Sequence, residues 1–265
     1  MPEGEHAAME NAQLIGLSRQ MALQRELDVV ANNIANLNTT GFKADGVVFQ
    51  EMLMPGASAN QFMRPDRRLS YVQDRATWLD LGQGSTQQTG NPLDLAIDGN
   101  GFIAVQTPRG ERYTRNGALQ INAGGELVTS EGHQVLGETG PLVFQAQDQN
   151  IAISGDGTVS VRQGALATTD ARRGKIRIVS FAQPQLLQKD GSSTFAAPDG
   201  VQPQAAPASV RLVQGALEKS NVRSVMEMTR MIEVTRAYTQ MAAMLQSQSD
   251  QRKTAIQQLA DVPTS

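Results

Sequence analysis

The chain has 265 residues, of which 40% are hydrophobic and 18% are charged, enough for one large folded domain or two small ones. A formal net charge of -3 argues against general binding to nucleic acids or anionic membranes, because both attract positive protein surfaces. Cysteine is absent, which excludes disulfides and thiol chemistry. No apolar run approaches the length of about 18 residues that a transmembrane helix needs, so we expect no membrane insertion.

The N-terminal part of the sequence predicts a short tail followed by a helix. Residues 1–8 are polar and acidic, and we expect them to be disordered; they lack the basic and then apolar layout of a cleaved secretory signal peptide. Residues 9–37 predict one helix, because apolar residues recur there at alternating spacings of four and three. The members of this stripe are Leu23, Leu27, Val30, Ile34 and Leu37.

The end of this predicted helix is unusually rich in asparagine. Asn32, Asn33 and Asn36 lie within five residues, and the helix is expected to stop before Gly41. One interpretation is a fraying helix end. The other is that the amide side chains form hydrogen bonds with the backbone of neighbouring chains in an assembly.

The next segment, residues 41–80, predicts an extended arm with short strands. A strand-like apolar run begins it, and a break rich in proline, glycine and alanine follows at residues 55–60. Arg64, Arg67 and Arg68 come next; a solvated loop or a salt bridge between subunits explains them better than a binding patch.

Residues 81–216 predict a β domain, because short strand-length runs alternate with turn signals. The runs at 93–97 and 102–105 are expected to form one hairpin, and those at 151–153 and 158–161 another. Short strands at this spacing predict an antiparallel sandwich or barrel.

The C-terminal residues 217–260 return to a helical pattern, with a methionine-rich stripe. Both terminal stripes are too narrow to be covered by the β domain, so we expect the two helices to pair as a coiled coil. The predicted class is α+β, with a central antiparallel all-β domain. The predicted divisions are a tail at 1–8, a helical domain of 9–40 plus 217–262, an arm at 41–80 and a β domain at 81–216.

Residues that could support catalysis or cofactor binding are scarce. The two histidines, His6 and His133, are too few for a histidine-based metal site or a catalytic triad. The spacing of Gly99, Gly101 and Ala104 fits a loose dinucleotide-binding pattern, but that site needs a helix where this sequence predicts a strand. We therefore expect no enzyme activity, no cofactor and no metal.

Three separated motifs resemble those of the flagellar axial proteins, the family of rod, hook and hook-junction subunits. The first runs from Ala31 to Lys43 and reads ANNIANLNTTGFK. The second runs from Gly90 to Phe102 and continues at Tyr113 to Gly117. The third joins Leu217 to Val222 with Met231 to Tyr238, so the resemblance covers most of the chain.

The resemblance implies a structural subunit of the bacterial flagellar basal-body rod. It implies export by the flagellar export apparatus without a cleaved signal, and polymerisation with copies of itself and other rod proteins into a torque-transmitting shaft that spans the periplasm. The segments 9–12, 16–21, 174–181 and 187–191 resemble proximal-rod members most. A distal-rod or hook-type subunit is the alternative within the family, and a secreted β-domain binding module is the alternative from another class.

The stripes and the motifs together give a predicted subunit interface for assembly. Its N-terminal members are Leu23, Leu27, Val30, Asn32, Asn33, Ile34, Asn36, Leu37, Asn38, Thr40, Gly41 and Phe42. Its C-terminal members are Leu217, Ser220, Asn221, Val222, Met231, Val234, Tyr238, Met241 and Leu245.

Overall fold

The structure is a computed structural model that describes residues 3–54, 69–163, 170–191 and 193–260. Two α-helices, α1 (Glu3–Ala35) and α2 (Ser224–Ala260), lie at the two ends of the described chain. The strands between them are β1 (Asp45–Met54), β2 (Leu69–Leu79), β3 (Thr86–Gln88), β4 (Leu95–Asp98), β5 (Phe102–Thr107), β6 (Gly110–Thr114), β7 (Leu119–Ile121), β8 (Leu127–Thr129), β9 (Gln134–Gly137), β10 (Gly140–Pro141), β11 (Asp148–Ile153), β12 (Thr158–Gln163), β13 (Asp170–Lys175), β14 (Ile178–Ser180), β15 (Gln188–Lys189), β16 (Thr194–Ala196), β17 (Gln204–Ala205), β18 (Arg211–Gln214) and β19 (Ala216–Glu218). A short 3-10 helix covers Pro184–Leu186.

The described residues divide into two units. The helical unit contains residues 3–34, 45–54, 69–78 and 224–260, and the β unit contains residues 35–44 and 79–223, apart from the undescribed positions. The α+β class predicted from the sequence is therefore confirmed. No helix in the described ranges combines the length and apolarity that crossing a membrane requires.

The boundaries of these units differ from the predicted ones at both ends of the β domain. Residues 35–44 and 217–223, which were assigned in part to the helical domain, belong to the β unit. The helix α1 begins at Glu3, so most of the predicted tail is helical. Glutamate and alanine, which have high helix propensity, are frequent in that segment, and this explains the longer helix.

The predicted arm contributes to both units. Strands β1 and β2 form a two-stranded sheet within the helical unit. The predicted break at 55–60 and the three arginines Arg64, Arg67 and Arg68 lie outside the described residues.

The β unit is built from antiparallel pairings throughout its described strands. Its largest sheet has ten strands, with β15, β16, β6, β5, β9, β8 and β7 in that order and with β10, β14 and β17 paired at its sides. A three-stranded sheet contains β11, β12 and β13, and two further pairs join β18 to β4 and β19 to β3. The prediction of an antiparallel β domain is confirmed.

Strand β5 separates two apolar clusters because alternate side chains of a strand point to opposite faces. Ile103 and Val105 pack into an aliphatic cluster, whereas Phe102 and Ala104 pack into a second cluster that contains most of the buried aromatic rings. In that second cluster the rings of Phe102 and Phe181 meet edge to face, with their centroids 5.8 Å apart. Four aromatic residues, Phe102, Tyr113, Phe181 and Phe195, thus pack together on one side of this strand.

One predicted hairpin is confirmed and the other is wrong. Strands β11 and β12 pair across the predicted turn, with Ile153 opposite Val159. Strands β4 and β5 do not pair with each other: β4 pairs with β18, and β5 pairs with β6, β9 and β14. The carbonyl groups around this turn are instead bound by the side chain of Arg115, as described below.

Tyr113 in the aromatic cluster gives a testable dependence of stability on alkaline pH. Its hydroxyl group donates a hydrogen bond of 2.9 Å to Glu111, and burial together with this bond raises the pKa of Tyr113 from 10.0 to about 12. Because the pKa of Tyr113 is higher in the folded state than in the unfolded state, its protonated hydroxyl group contributes fully to stability below pH 10.0. This contribution is lost as the pH rises towards about 12.

We therefore expect the wild-type free energy of unfolding to fall relative to that of Tyr113→Phe across this interval. Urea unfolding of both proteins at a series of pH values measures the difference. A difference that stays constant from neutral pH to about pH 12 would contradict the prediction.

Candidate assembly sites

The segment that follows α1 is anchored in the β unit by buried charged side chains from distant parts of the sequence. Lys43, Arg115 and Glu218 are 0%, 3% and 1% exposed. The Lys43 ammonium group lies 2.6 Å from Glu218 Oε1, and the Arg115 Nε atom lies 2.8 Å from Glu218 Oε2. One carboxylate therefore binds two cations that lie in two different sequence motifs.

The remaining polar atoms of this cluster bind backbone groups. The Lys43 ammonium group donates to the carbonyl of Gly82 at 2.7 Å, and the backbone N–H of Gly84 donates to Glu218 at 2.9 Å. The Arg115 guanidinium group donates to the carbonyl groups of Gly99 and Gly101, and more weakly to that of Ile97. Buried charges are tolerated when they are paired and hydrogen-bonded in this way.

The cluster holds two cations and one anion, and this imbalance affects Lys43. Burial and the neighbouring Arg115 guanidinium lower the pKa of Lys43 below its ordinary value, and Glu218 opposes the shift. Glu218 is thus the group that makes two buried cations compatible in one site.

Asparagine side chains hold the same region by mimicking backbone hydrogen-bonding groups. The Asn221 side-chain oxygen accepts the N–H of Ala44 at 2.8 Å, and its amide group donates to the carbonyl groups of Asp80 and Gly82. The Asn116 side-chain oxygen accepts the Thr40 hydroxyl at 2.6 Å. The motif ending at Lys43, the motif around Arg115 and the motif from Leu217 to Val222 therefore meet at one place.

Asn33 holds the start of β1 within the helical unit. Its amide group donates to the carbonyl of Asp45 at 2.8 Å, while its side-chain oxygen accepts the N–H of Asp45 at 3.0 Å. Two residues in neighbouring β-strands form the same pair of hydrogen bonds, one donated and one accepted. Such amide–backbone bonds were one expectation for contacts with neighbouring chains, and the structure places this one within a single chain.

The two helices contact each other in antiparallel order. Glu26 accepts a hydrogen bond of 2.8 Å from Arg230, and the Asn33 amide group lies 3.4 Å from a Glu227 carboxylate oxygen. Nearer the start of α1, Gly16 packs against Leu245, where an added Cβ would lie 2.7 Å from a leucine methyl carbon. Residues early in α1 thus lie beside residues late in α2.

Large apolar side chains of both helices remain exposed. On α1, Leu14, Leu17 and Met21 recur at spacings of three and four, and Met21 is 67% exposed. On α2, Val225, Met228 and Ile232 show the same spacing, and Val225 is 76% exposed. A single chain therefore leaves one apolar face of each helix open to solvent.

The predicted interface residues fall into three groups by exposure. Val30, Asn33, Gly41, Phe42 and Val234 are buried within the chain, and Asn32 and Asn38 are exposed. The others are half-buried, namely Leu23, Leu27, Ile34, Asn36, Leu37, Thr40, Leu217, Ser220, Asn221, Val222, Met231, Tyr238, Met241 and Leu245.

Two sets of residues at these sites were not predicted from the sequence. The first set is the exposed apolar residues, because the predicted interface followed only the main stripe of each helix. The second is Lys43, Arg115 and Glu218. Each lies in a motif that the sequence analysis quoted, but Glu218 and Lys43 are 175 residues apart, and no local pattern indicates that they are paired.

Three family models match successive parts of the chain. Residues 14–43 match "Flagella basal body rod protein", and residues 96–161 match "Flagellar hook protein FlgE/F/G D1 domain". Residues 213–258 match "Flagellar basal body rod FlgEFG protein C-terminal". The first and third matches include the segments that carry Lys43 and Glu218, and the second includes Arg115.

The similar proteins are flagellar rod proteins, and the similarity extends over most of the length of each. The flagellar basal-body rod protein FlgF of Caulobacter vibrioides is 37% identical over 255 residues, which are 96% of this chain and 100% of the relative. FlgF of Escherichia coli is 34% identical, covering 88% of this chain and 91% of the relative. FlgG of Bacillus subtilis is 34% identical, covering 84% of this chain and 89% of the relative. The chain therefore belongs to the flagellar basal-body rod proteins of the FlgE/F/G family, whose members are structural subunits and not enzymes.

Proposed function

We propose that the chain is a proximal-rod subunit that polymerises with copies of itself and with other rod proteins into a torque-transmitting shaft. The match to FlgF of Caulobacter vibrioides runs along the full length of that relative, whereas the match to FlgG of Bacillus subtilis covers 89% of it. Correspondence over the full length of the Caulobacter vibrioides relative, at 37% identity, supports the FlgF position.

The first part of this proposal is that α1 and α2 pair as an antiparallel coiled coil. The buried and half-buried stripe residues recur at spacings of three and four on both helices, which is the pattern of a coiled-coil seam. The seam residues are Leu23, Leu27, Val30 and Ile34 on α1, and Met231, Val234, Tyr238, Met241 and Leu245 on α2. The bond between Glu26 and Arg230, together with the contact of Gly16 with Leu245, supports the antiparallel order.

The observation that carries the assembly proposal is the exposed apolar face on each helix. Burying one large apolar side chain contributes roughly 1.5–3 kcal/mol, so several such residues on one face supply a substantial driving force for association. Leu14, Leu17 and Met21 lie on α1 and Val225, Met228 and Ile232 on α2. We propose that neighbouring subunits cover these faces, and that the exposed Asn32 and Asn38 contact those neighbours.

Charge substitution on these faces tests the proposal. We expect Leu17→Glu and Ile232→Glu each to leave the free energy of unfolding of the monomer within about 0.5 kcal/mol of wild type, because both side chains are already about half exposed. We expect each variant to abolish rod assembly, because a carboxylate cannot be buried unpaired in an apolar contact. Electron microscopy of basal bodies from a deletion strain that expresses each variant measures the outcome.

The matched control is Gln240→Glu, which adds the same charge at an exposed polar position of α2. Rods should form normally with this control. Normal rods and swimming with both Leu17→Glu and Ile232→Glu would rule out the proposed faces.

The distal rod is the second candidate position, and the FlgG match over 244 residues favours it. Complementation separates the two positions. Under our proposal the chain restores rods in a strain that lacks FlgF and fails to do so in a strain that lacks FlgG. The opposite result would place the chain in the distal rod.

We also propose that the subunit reaches the periplasm-spanning rod through the flagellar export apparatus without cleavage of a signal peptide. The absence of cysteine is compatible with a chain that passes through the channel unfolded. Mass spectrometry of the chain recovered from purified basal bodies tests this proposal, because a cleaved leader would shorten the N-terminus.

A further inference from the structure

The chain passes between its two units at four points, after residues 34, 44, 78 and 223. The β unit therefore contains three segments that lead into or out of it, at 35–44, 79–84 and 217–223. Any force that reaches the β unit along the backbone arrives through these segments.

All three segments are joined to one another by a small group of side chains, which we name the terminal clasp: Lys43, Arg115, Glu218 and Asn221. Lys43 binds the second segment at Gly82 and the third at Glu218. Asn221 binds the first segment at Ala44 and the second at Asp80 and Gly82. Arg115 fixes Glu218 to the centre of the β unit through the carbonyl groups of Gly99 and Gly101.

Backbone contacts run beside these side chains and close the same group. The N–H of Gly41 donates to the carbonyl of Glu218 at 2.8 Å, and the N–H of Asp80 donates to the carbonyl of Ala44 at 2.9 Å. Each of the three segments is thus bound directly to both of the others.

The charged part of the terminal clasp is costly to break at either of its buried ion pairs. Removing one partner of a buried pair leaves the other charge without compensation in a low-dielectric site. Separation of the first or the third segment would leave Lys43, Arg115 or Glu218 in that state. Separation of the second would remove the Gly82 carbonyl from Lys43 and the Gly84 N–H from Glu218. The burial that makes the cluster costly to break is what couples the three segments.

We propose that the terminal clasp is the mechanical joint of the subunit, which distributes a load that enters through one segment over all three. This inference relies on the proposed shaft function only for the origin of the load. Its test uses the isolated full-length chain and does not depend on where in the rod the subunit lies.

Constant-force stretching of single chains measures the lifetime of the joint. Because the chain has no cysteine, handles can be attached at two introduced cysteines only. In the first arrangement, the clasp geometry, the handles are attached at Asn38→Cys and Lys219→Cys. Both are exposed positions that flank the terminal clasp. In the remote geometry the handles are attached at Gln147→Cys and Asp170→Cys, which are also exposed positions. They lie on the sheet in which the carboxylate of Asp148, with a side chain 1% exposed, pairs with Arg173.

In the clasp geometry we expect Glu218→Gln to shorten the lifetime by about a hundredfold, and in the remote geometry by less than about threefold. Asp148→Asn is the matched control, because it also removes one buried carboxylate, and we expect it to show the reverse pattern. If Glu218→Gln does not fold, Lys43→Met replaces it in the experiment, because this substitution leaves Glu218 paired with Arg115. We expect Lys43→Met to shorten the lifetime about tenfold, and in the clasp geometry only.

Equal shortening by Glu218→Gln in both geometries would show a general loss of stability and would overturn the proposal. Unchanged lifetimes in the clasp geometry would overturn it as well. A failure of rod assembly in the experiments described above would leave this measurement unaffected, so the two proposals can fail separately.

Discussion

Glu218→Gln is expected to destabilise the β unit by about 3–5 kcal/mol, because the substitution leaves two buried cations without their shared carboxylate. Lys43 and Arg115 are almost fully buried, so neither can regain solvation without opening the structure. A loss of this size is a large fraction of the stability of an ordinary domain, which is about 5–15 kcal/mol. Chemical denaturation followed by far-ultraviolet circular dichroism measures the free energy of unfolding.

The matched control for this substitution is Glu138→Gln. Glu138 also binds a lysine, with the Lys175 ammonium group 3.0 Å from its carboxylate, but its side chain is 53% exposed. Ion pairs with that exposure contribute about 0–1 kcal/mol. Equal losses of stability in the two variants would contradict the assignment of Glu218 as the central anion of the cluster.

Gly41→Ala is the second substitution with a large expected effect. Gly41 has a φ of +68°, in the left-handed region, which costs other residues roughly 1–2 kcal/mol. An added Cβ would also lie 2.5 Å from backbone atoms of Arg115 and Asn116. Because these are backbone atoms that hold the buried cluster, they cannot shift freely, and we expect a total loss of about 3 kcal/mol or more.

Gly132→Ala separates the cost of the left-handed backbone conformation from the cost of the steric clash. Gly132 has a comparable φ of +86°, but a Cβ there would meet no atom within 4 Å. We expect this variant to lose only the conformational part, about 1–2 kcal/mol. If both variants lost the same stability, the close approach of Gly41 to Arg115 and Asn116 would have no energetic importance.

The sequence was sufficient for those parts of the fold that depend on local pattern. Helix periodicity identified both terminal helices, and the turn at 154–157 identified the pairing of β11 with β12. The end of α1 was also placed correctly to within a few residues, because asparagine and glycine indicate a stop whatever surrounds them.

The wrong hairpin prediction arose where a distant partner decided the structure. The turn at 98–101 resembles a hairpin turn locally, yet Arg115 binds the carbonyl groups of Gly99 and Gly101, and β4 takes β18 as its partner. The unit boundaries differed for the same reason. Nothing near Glu218 indicates that it binds Lys43, and a charged residue without a visible partner is interpreted as part of a solvated surface.

The separation between Lys43 and Glu218 also determines the order in which the chain can fold. A contact that spans 175 residues is closed late, because long loops must first lose their conformational freedom. A chain that emerges with its N-terminus first exposes residues 35–44 long before Glu218 is available. During that interval the segment 35–44 lacks both the Glu218 carboxylate that pairs with Lys43 and the Glu218 carbonyl that accepts the N–H of Gly41. This segment of the β unit therefore becomes fixed only after residue 218 has emerged.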